Sequence, residues 1–175
     1  MIPDARLGIA ILTNQESGAA FEAIADHIMD AYLGAQTSDW IAAYQAIEKR
    51  GAAANASSAQ AATSARAAGS KPSLPLQAYA GKYRDPWYGE ITIAQSGAGL
   101  TIKFDRTPLL TGALEHWQHD TFVAKWTDRE LRADAFVTFA LTPDGKIDTV
   151  KMRAVSPDTD FSFDFHDLLF RPIRD

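Results

Sequence analysis

The chain has 175 residues, a formal net charge of −5, 46% hydrophobic and 10% aromatic residues, and no cysteine. The acidic balance, without a basic stripe, excludes nucleic acid as the main partner. The missing cysteines exclude disulfides, thiolate nucleophiles and cysteine-ligated zinc, and no apolar run is long enough to span a membrane as a helix.

The opening Met-Ile-Pro-Asp-Ala-Arg does not read as a signal peptide. Leu7-Gly-Ile-Ala-Ile-Leu-Thr-Asn14 is a short β-branched apolar run and predicts a buried strand. A helix follows from Ser17 or Glu16. Phe21, Ile24, Ile28, Met29, Tyr32 and Leu33 recur at helical spacing, and Gly34 closes it. A strand and one amphipathic helix cannot enclose a core. They are expected to pack on the rest of the chain, on another copy, or on a further domain. Thr37-Ser-Asp-Trp40 starts a second helix, with Ser38 as N-cap and Trp40, Tyr44 and Ile47 on one face. From Gly51 to Gly69 the composition is alanine and serine with almost no bulky side chain. That predicts a helix fraying into a linker, ended by Lys71-Pro-Ser-Leu-Pro75.

Beyond Leu76 the hydrophobic period changes to two. Ile91 and Ile93 alternate with Glu90 and Thr92, then Leu100, Ile102 and Phe104 with Thr101 and Lys103, then Phe122, Ala124 and Trp126 with Val123 and Lys125. Val137, Phe139 and Leu141 follow, then Val150 and Met152, then Phe161, Phe163 and Phe165. Gly97-Ala-Gly99 and Thr142-Pro-Asp-Gly145 are turn signals between runs. The spacing predicts a mainly β protein, an antiparallel barrel or sandwich of about eight strands. Three regions result: a strand–helix segment over 1–35, a helical Ala/Ser-rich linker over 36–73, and the β domain over 74–175.

Two stretches carry a resemblance. Arg6-Leu-Gly-Ile-Ala-Ile-Leu-Thr-Asn14 with its helix resembles the last strand and C-terminal helix of serine β-lactamase-like hydrolases, the group of class C β-lactamases, penicillin-binding proteins and D-aminopeptidases. Tyr79-Ala-Gly-Lys-Tyr-Arg-Asp-Pro86, with the β-rich sequence after it, resembles the lipocalin-like barrel fused C-terminally to some of them. The resemblance implies acyl-serine chemistry without a cofactor, an upstream catalytic domain as partner, and a periplasmic or secreted setting. The chain departs from the family at the decisive place. No serine has a lysine three residues on, no tyrosine fits the Tyr-x-Asn pattern, and the strand with Lys-Thr-Gly or His-x-Gly is absent. No catalytic residue is carried over. The expected role is a non-catalytic accessory domain serving assembly or substrate access. The alternatives are a stand-alone small-ligand-binding barrel and a cryptic serine hydrolase. The N-terminal strand–helix segment is also expected to support homo-oligomer contacts.

Candidate site residues come from the β half. Trp87, Tyr88, Trp117 and Trp126 suit a barrel mouth or contact surface, with core packing as the plainer reading. Pro86-Trp-Tyr-Gly89 falls at a turn, and Arg106 near it could meet an anion. Glu115-His-Trp-Gln-His-Asp120 places two histidines beside an aspartate, but the spacing reads as a hairpin tip with solvated imidazoles, so no metal is assigned. His166 with Asp164 reads as a surface pair on one strand face.

Overall fold

A computed structural model of the chain describes residues 2–14, 17–36, 38–64, 66–67 and 69–173. Contacts divide it into two units, residues 1–60 and 61–175.

The first unit holds two helices, α1 (Gly18–Leu33) and α2, which runs from Trp40 to Ser64. Ser17 precedes α1 in extended conformation and makes no side-chain cap bond; Glu16, the other expected start, lies outside the described residues. Gly34 ends α1 at φ 64°, a left-handed turn that glycine adopts without a Cβ penalty. Asp39 rather than Ser38 caps α2, accepting from the Ala42 N–H at 2.9 Å. The alanine run continues α2 for 25 residues, as its intrinsic propensity allows. Two aspartates of α1 tie the helices together. Trp40 Nε1 donates to Asp30 at 2.7 Å and Tyr44 Oη to Asp26 at 2.7 Å. The bond to Asp26 stabilises the neutral phenol and pushes Tyr44 up to about 12.

The predicted strand over 7–14 does not form. Leu7 makes one isolated antiparallel bridge with Ile2, and the residues after it have no ladder among the described residues. A strand needs a neighbouring edge for its N–H and C=O groups, and this unit supplies none. The apolar face of α1 is likewise uncovered within its unit. Phe21, Ile24, Tyr32 and Leu33 stay exposed, and only Ala23 of that helix is buried.

The second unit is a closed eight-stranded antiparallel barrel in sequence order. Its strands are β1 (Gly81–Asp85), β2 (Gly89–Ser96), β3 (Gly99–Phe104), β4 (Thr111–Gln118), β5 (Thr121–Trp126), β6 (Ala135–Leu141), β7 (Ile147–Ala154) and β8 (Leu169–Pro172). The period-two pattern leaves barrel and sandwich open; the structure is the mainly β barrel, consistent with the lipocalin-like barrel that the resemblance implies. Register follows the alternation: Ile91 faces Phe104, Ile93 faces Ile102, and Val137 faces Met152 across their ladders. Closure is a short seam, where β1 meets β8 through Tyr83↔Pro172 and Arg84↔Arg171, as few register pairs as join β7 to β8. The Ile173 N–H extends it to the Lys82 carbonyl at 2.9 Å.

The interior is packed with side chains. Tyr79, Tyr83, Phe104, Phe122, Trp126, Phe139 and Phe170 join the branched residues in one buried cluster. Tyr79, Phe122 and Phe139 meet edge to face, with centroids 4.9–5.7 Å apart. Gly112 lets β4 and β5 approach: a Cβ there would sit 2.0 Å from the Lys125 carbonyl oxygen.

The last strand differs from expectation. Phe161, Phe163 and Phe165 do not alternate along a strand; Phe161–Phe163 and Phe165–Asp167 are single 3-10 turns, and β8 comes after them. Asp160 accepts from the Ser162 N–H at 2.8 Å, and Asp164 takes a left-handed conformation at φ 49°. Short polar side chains that bond local backbone compete with a ladder in this way. His166 accordingly lies beside Asp167, at 3.5 Å, rather than pairing with Asp164 along a strand.

Candidate functional site at the barrel rim

The β1–β2 turn is built on a buried carboxylate. Asp85 is 5% exposed, yet both its oxygens are satisfied. Oδ1 accepts from the backbone N–H of Trp87 at 2.8 Å and of Tyr88 at 2.9 Å. Oδ2 accepts from the Leu169 N–H at 3.0 Å, at the start of β8. Burial by itself would raise this carboxyl, but the three N–H donors outweigh it and hold it below the usual carboxylate range. One side chain thus shapes the Pro86-Trp87-Tyr88 turn and fastens the closing strand beside it.

The turn presents Trp87 outward at 82% exposure. Its backbone carbonyl accepts from Arg106 Nη1 at 3.4 Å. Arg106 and Asp105 crowd Gly89, which sits at φ 92°; a Cβ there would lie 2.9 Å from the Arg106 side chain. Tyr88 is half-buried. Burial and the nearby carboxylates of Asp164, Asp167 and Asp85 raise its phenol. Trp87 and Tyr88 line a surface groove of about 1040 Å³ together with Asp164, Asp167, Arg84 and Arg171.

Of the five residues singled out in the sequence, Trp87 and Tyr88 line this groove and Arg106 braces its turn. Trp126 stands apart as a core residue, 1% exposed, with its indole N–H donated to the Ala133 carbonyl at 2.6 Å and its ring stacked on Phe165. Trp117 lies elsewhere, on β4, against Phe136 and under the Arg66 guanidinium, which is 4.9 Å from the ring centroid. Sequence reasoning passed over Asp85, Arg84 and Arg171. An aspartate directly before Pro-Trp-Tyr-Gly is a turn-forming signal that identifies the first. The arginines meet only through the β1–β8 register, which has no local signature.

Trp117 belongs to a second constellation, where residues 66–67 and 69–74 are strapped along the β4–β5 hairpin. Arg66 donates to the carbonyls of His116 and Trp117, and the Ala67 N–H to the Gln118 side chain at 3.0 Å. The His119 N–H donates to Ser70 Oγ at 2.6 Å. Asp120 accepts from Ser73 through its N–H at 2.9 Å and its hydroxyl at 2.8 Å, and from the Tyr79 hydroxyl. Burial opposes ionisation of Asp120, but the Tyr79 and Ser73 bonds and the neighbouring His119 hold it below the usual range. The same carboxylate, after burial, pushes Tyr79 up to about 12.

This strap contains a serine–histidine contact, Ser70 Oγ to His119 Nδ1 at 3.3 Å. Ser70 Oγ is held by the histidine's own backbone N–H, and the nearby Asp120 carboxylate is taken up by Ser73 and Tyr79. His116 packs on Phe122 and bonds the His119 carbonyl at 2.9 Å. Among the described residues no group of three or more His, Asp or Glu side chains is placed to hold a metal. No described helix is long and apolar enough to cross a membrane.

The family described as "Domain of unknown function (DUF3471)" matches residues 65–172. No curated protein and no solved structure matches.

Proposed function

We propose, from the premise that the chain belongs to the DUF3471 family, that it is a non-catalytic accessory region of a serine β-lactamase-like hydrolase or peptidase, serving assembly or control of substrate access. Domains of this family typically lie C-terminal to β-lactamase-like domains. The observation that carries the reading is the filled barrel. A lipocalin that carries a ligand needs an open interior, whereas here Trp126, Phe122, Phe170 and the branched residues occupy it. Function then belongs to the outer surface, where Trp87 is displayed on a braced turn.

The first unit supports the same reading. Its apolar helix face and the 97% exposed Leu12 are surfaces that water penalises. An upstream hydrolase domain of the same polypeptide would cover them, as would a second copy of the chain. The periplasmic or secreted setting belongs to this proposal through the family resemblance.

The test begins with the mass of the native polypeptide in its source cell. The reading expects it to exceed 19.1 kDa. Residues 74–175 are then deleted from that polypeptide. Hydrolysis of a small chromogenic β-lactam or ester and of a longer peptide is compared, with sedimentation measured in parallel. Retained turnover of the small substrate, with altered size preference or altered assembly, is the expected result. Unchanged preference and assembly, or a native mass of 19.1 kDa, would overturn the proposal.

A further inference from the structure

Arg84 and Arg171 face each other as register partners across the β1–β8 seam. Like charges directly opposite on paired strands are unfavourable. These two occupy a ladder of only two register pairs, where repulsion is less easily absorbed than in a long one. Among the described residues each is paired with one carboxylate, which lies on the neighbouring strand away from the other arginine. Arg84 directs Nε and Nη2 to Glu90 at 3.0 and 2.5 Å. Arg171 reaches Asp148 through Nη1 alone, at 3.4 Å. Both side chains remain about three-fifths exposed (61% and 62%). A guanidinium carries five N–H donors in a planar fork, so most donors of the pair have no protein acceptor among the described residues. The row from β2 to β7 therefore runs negative, positive, positive, negative, with a gap in compensation at its centre.

That centre opens on the rim groove. Trp87 forms one wall, held rigidly by Asp85 and Arg106. Asp164 and Asp167 lie beyond Tyr88 in the same groove. We infer that the groove binds the free carboxylate terminus of a peptide. Arg84 and Arg171 grip the carboxylate between them, and the Trp87 indole covers the adjoining side chain. The acidic residues accept backbone N–H groups further along the ligand and repel polyanions. An arginine pair matches a carboxylate through parallel N–H···O bonds. The mixed charge of the groove fits a ligand negative at one end and N–H-bearing along its length. The inference stands on the outer wall of the barrel and does not depend on an upstream domain.

The whole chain is titrated with N-acetyl-Phe-Ala, with the same dipeptide as its C-terminal amide, and with acetate, following tryptophan emission. The acid is expected to give a saturable change that Trp87→Phe abolishes. The amide should bind about tenfold more weakly or worse, tenfold being ~1.4 kcal/mol, just under the least that a bond to a charged group is worth. Arg171→Gln should lose a similar factor while leaving the melting temperature unchanged or higher, because it relieves repulsion. Equal affinity for acid and amide, or no saturable change, would overturn the inference. Acetate binding as tightly as the peptide would overturn the peptide assignment. A lower melting temperature for Arg171→Gln, with dipeptide binding intact, would show a structural ladder instead of a site.

Discussion

Replacing Asp85 by asparagine isolates what one buried carboxylate contributes to the barrel. The amide oxygen can still accept from Trp87 and Tyr88. Its NH2 group then faces the Leu169 N–H, two donors against each other, so the tie to β8 is lost. A hydrogen bond to a charged group is worth ~1.5–3 kcal/mol, and the bonds kept by the amide are weaker than before, which puts Asp85→Asn at about 2 kcal/mol destabilising. Asp85→Ala removes all three acceptor contacts and should cost about 3 kcal/mol, short of additivity because the Trp87 turn can reach water. For a domain of about 100 residues this corresponds to roughly 4–8 °C per kcal/mol. The sign with pH is set by the lowered carboxyl. Its contribution is complete above the unfolded value of about 3.9 and is lost as pH falls through the lower folded value. The difference between wild type and Asp85→Asn should therefore be full at pH 7 and shrink in acid. Urea unfolding followed by near-ultraviolet circular dichroism, which reports packed aromatics such as Trp126, measures it. Identical midpoints at pH 7, or a difference that widens on acidification, would refute the reasoning.

Other substitutions separate packing from display. Gly112→Ala puts a methyl 2.0 Å from a backbone carbonyl that cannot move without parting β4 from β5; it should cost about 3 kcal/mol or more and appear as a collapsed melting temperature or insoluble protein. Trp87→Ala, at an 82% exposed position, should leave stability within about 0.5 kcal/mol by the same urea assay. Asp120→Ala removes the acceptor of Ser73 and Tyr79; limited proteolysis should cut within 66–74 faster than in wild type, while the barrel fragment stays intact. A cleavage pattern unchanged by that substitution would mean the strap is held by other contacts.

Much of the barrel is legible in the sequence because alternation is a local property. Ile91 and Ile93, Phe122 and Trp126, and Val137 and Phe139 all turn inward as period two requires. The same logic misreads Phe161, Phe163 and Phe165, because an alternating pattern also suits consecutive 3-10 turns when aspartates bond the local backbone. The run over 7–14 has strand composition, but a ladder depends on a partner edge that composition does not supply. The strap over 66–74 has the composition of an inert linker. Its order comes from backbone groups paired with His119, Asp120 and Gln118, and small polar residues give no periodic sign of such pairing. At the rim, Trp87 and Tyr88 stand out by side-chain chemistry. The arginines opposite them become visible only once β8 is placed, since they are separated by most of the barrel's sequence.

Because the strands succeed one another around the wall and the last returns to the first, the chain leaves the barrel almost where it enters. The Ile173 N–H reaches the carbonyl of Lys82 at 2.9 Å, one residue inside the first strand. A module with coincident entry and exit asks little of whatever carries it. It can be spliced into a surface loop or appended to an end without prying apart two distant points of the host. The same geometry makes the β1–β8 seam the natural place to join if old and new termini are to be exchanged. Opening the chain at the Thr142–Lys146 turn and linking residue 173 to residue 74 with a flexible segment, so that Leu74, Leu76 and Tyr79 keep their places against the core, should regenerate the same barrel, with closure then secured by a covalent connection besides the two register pairs.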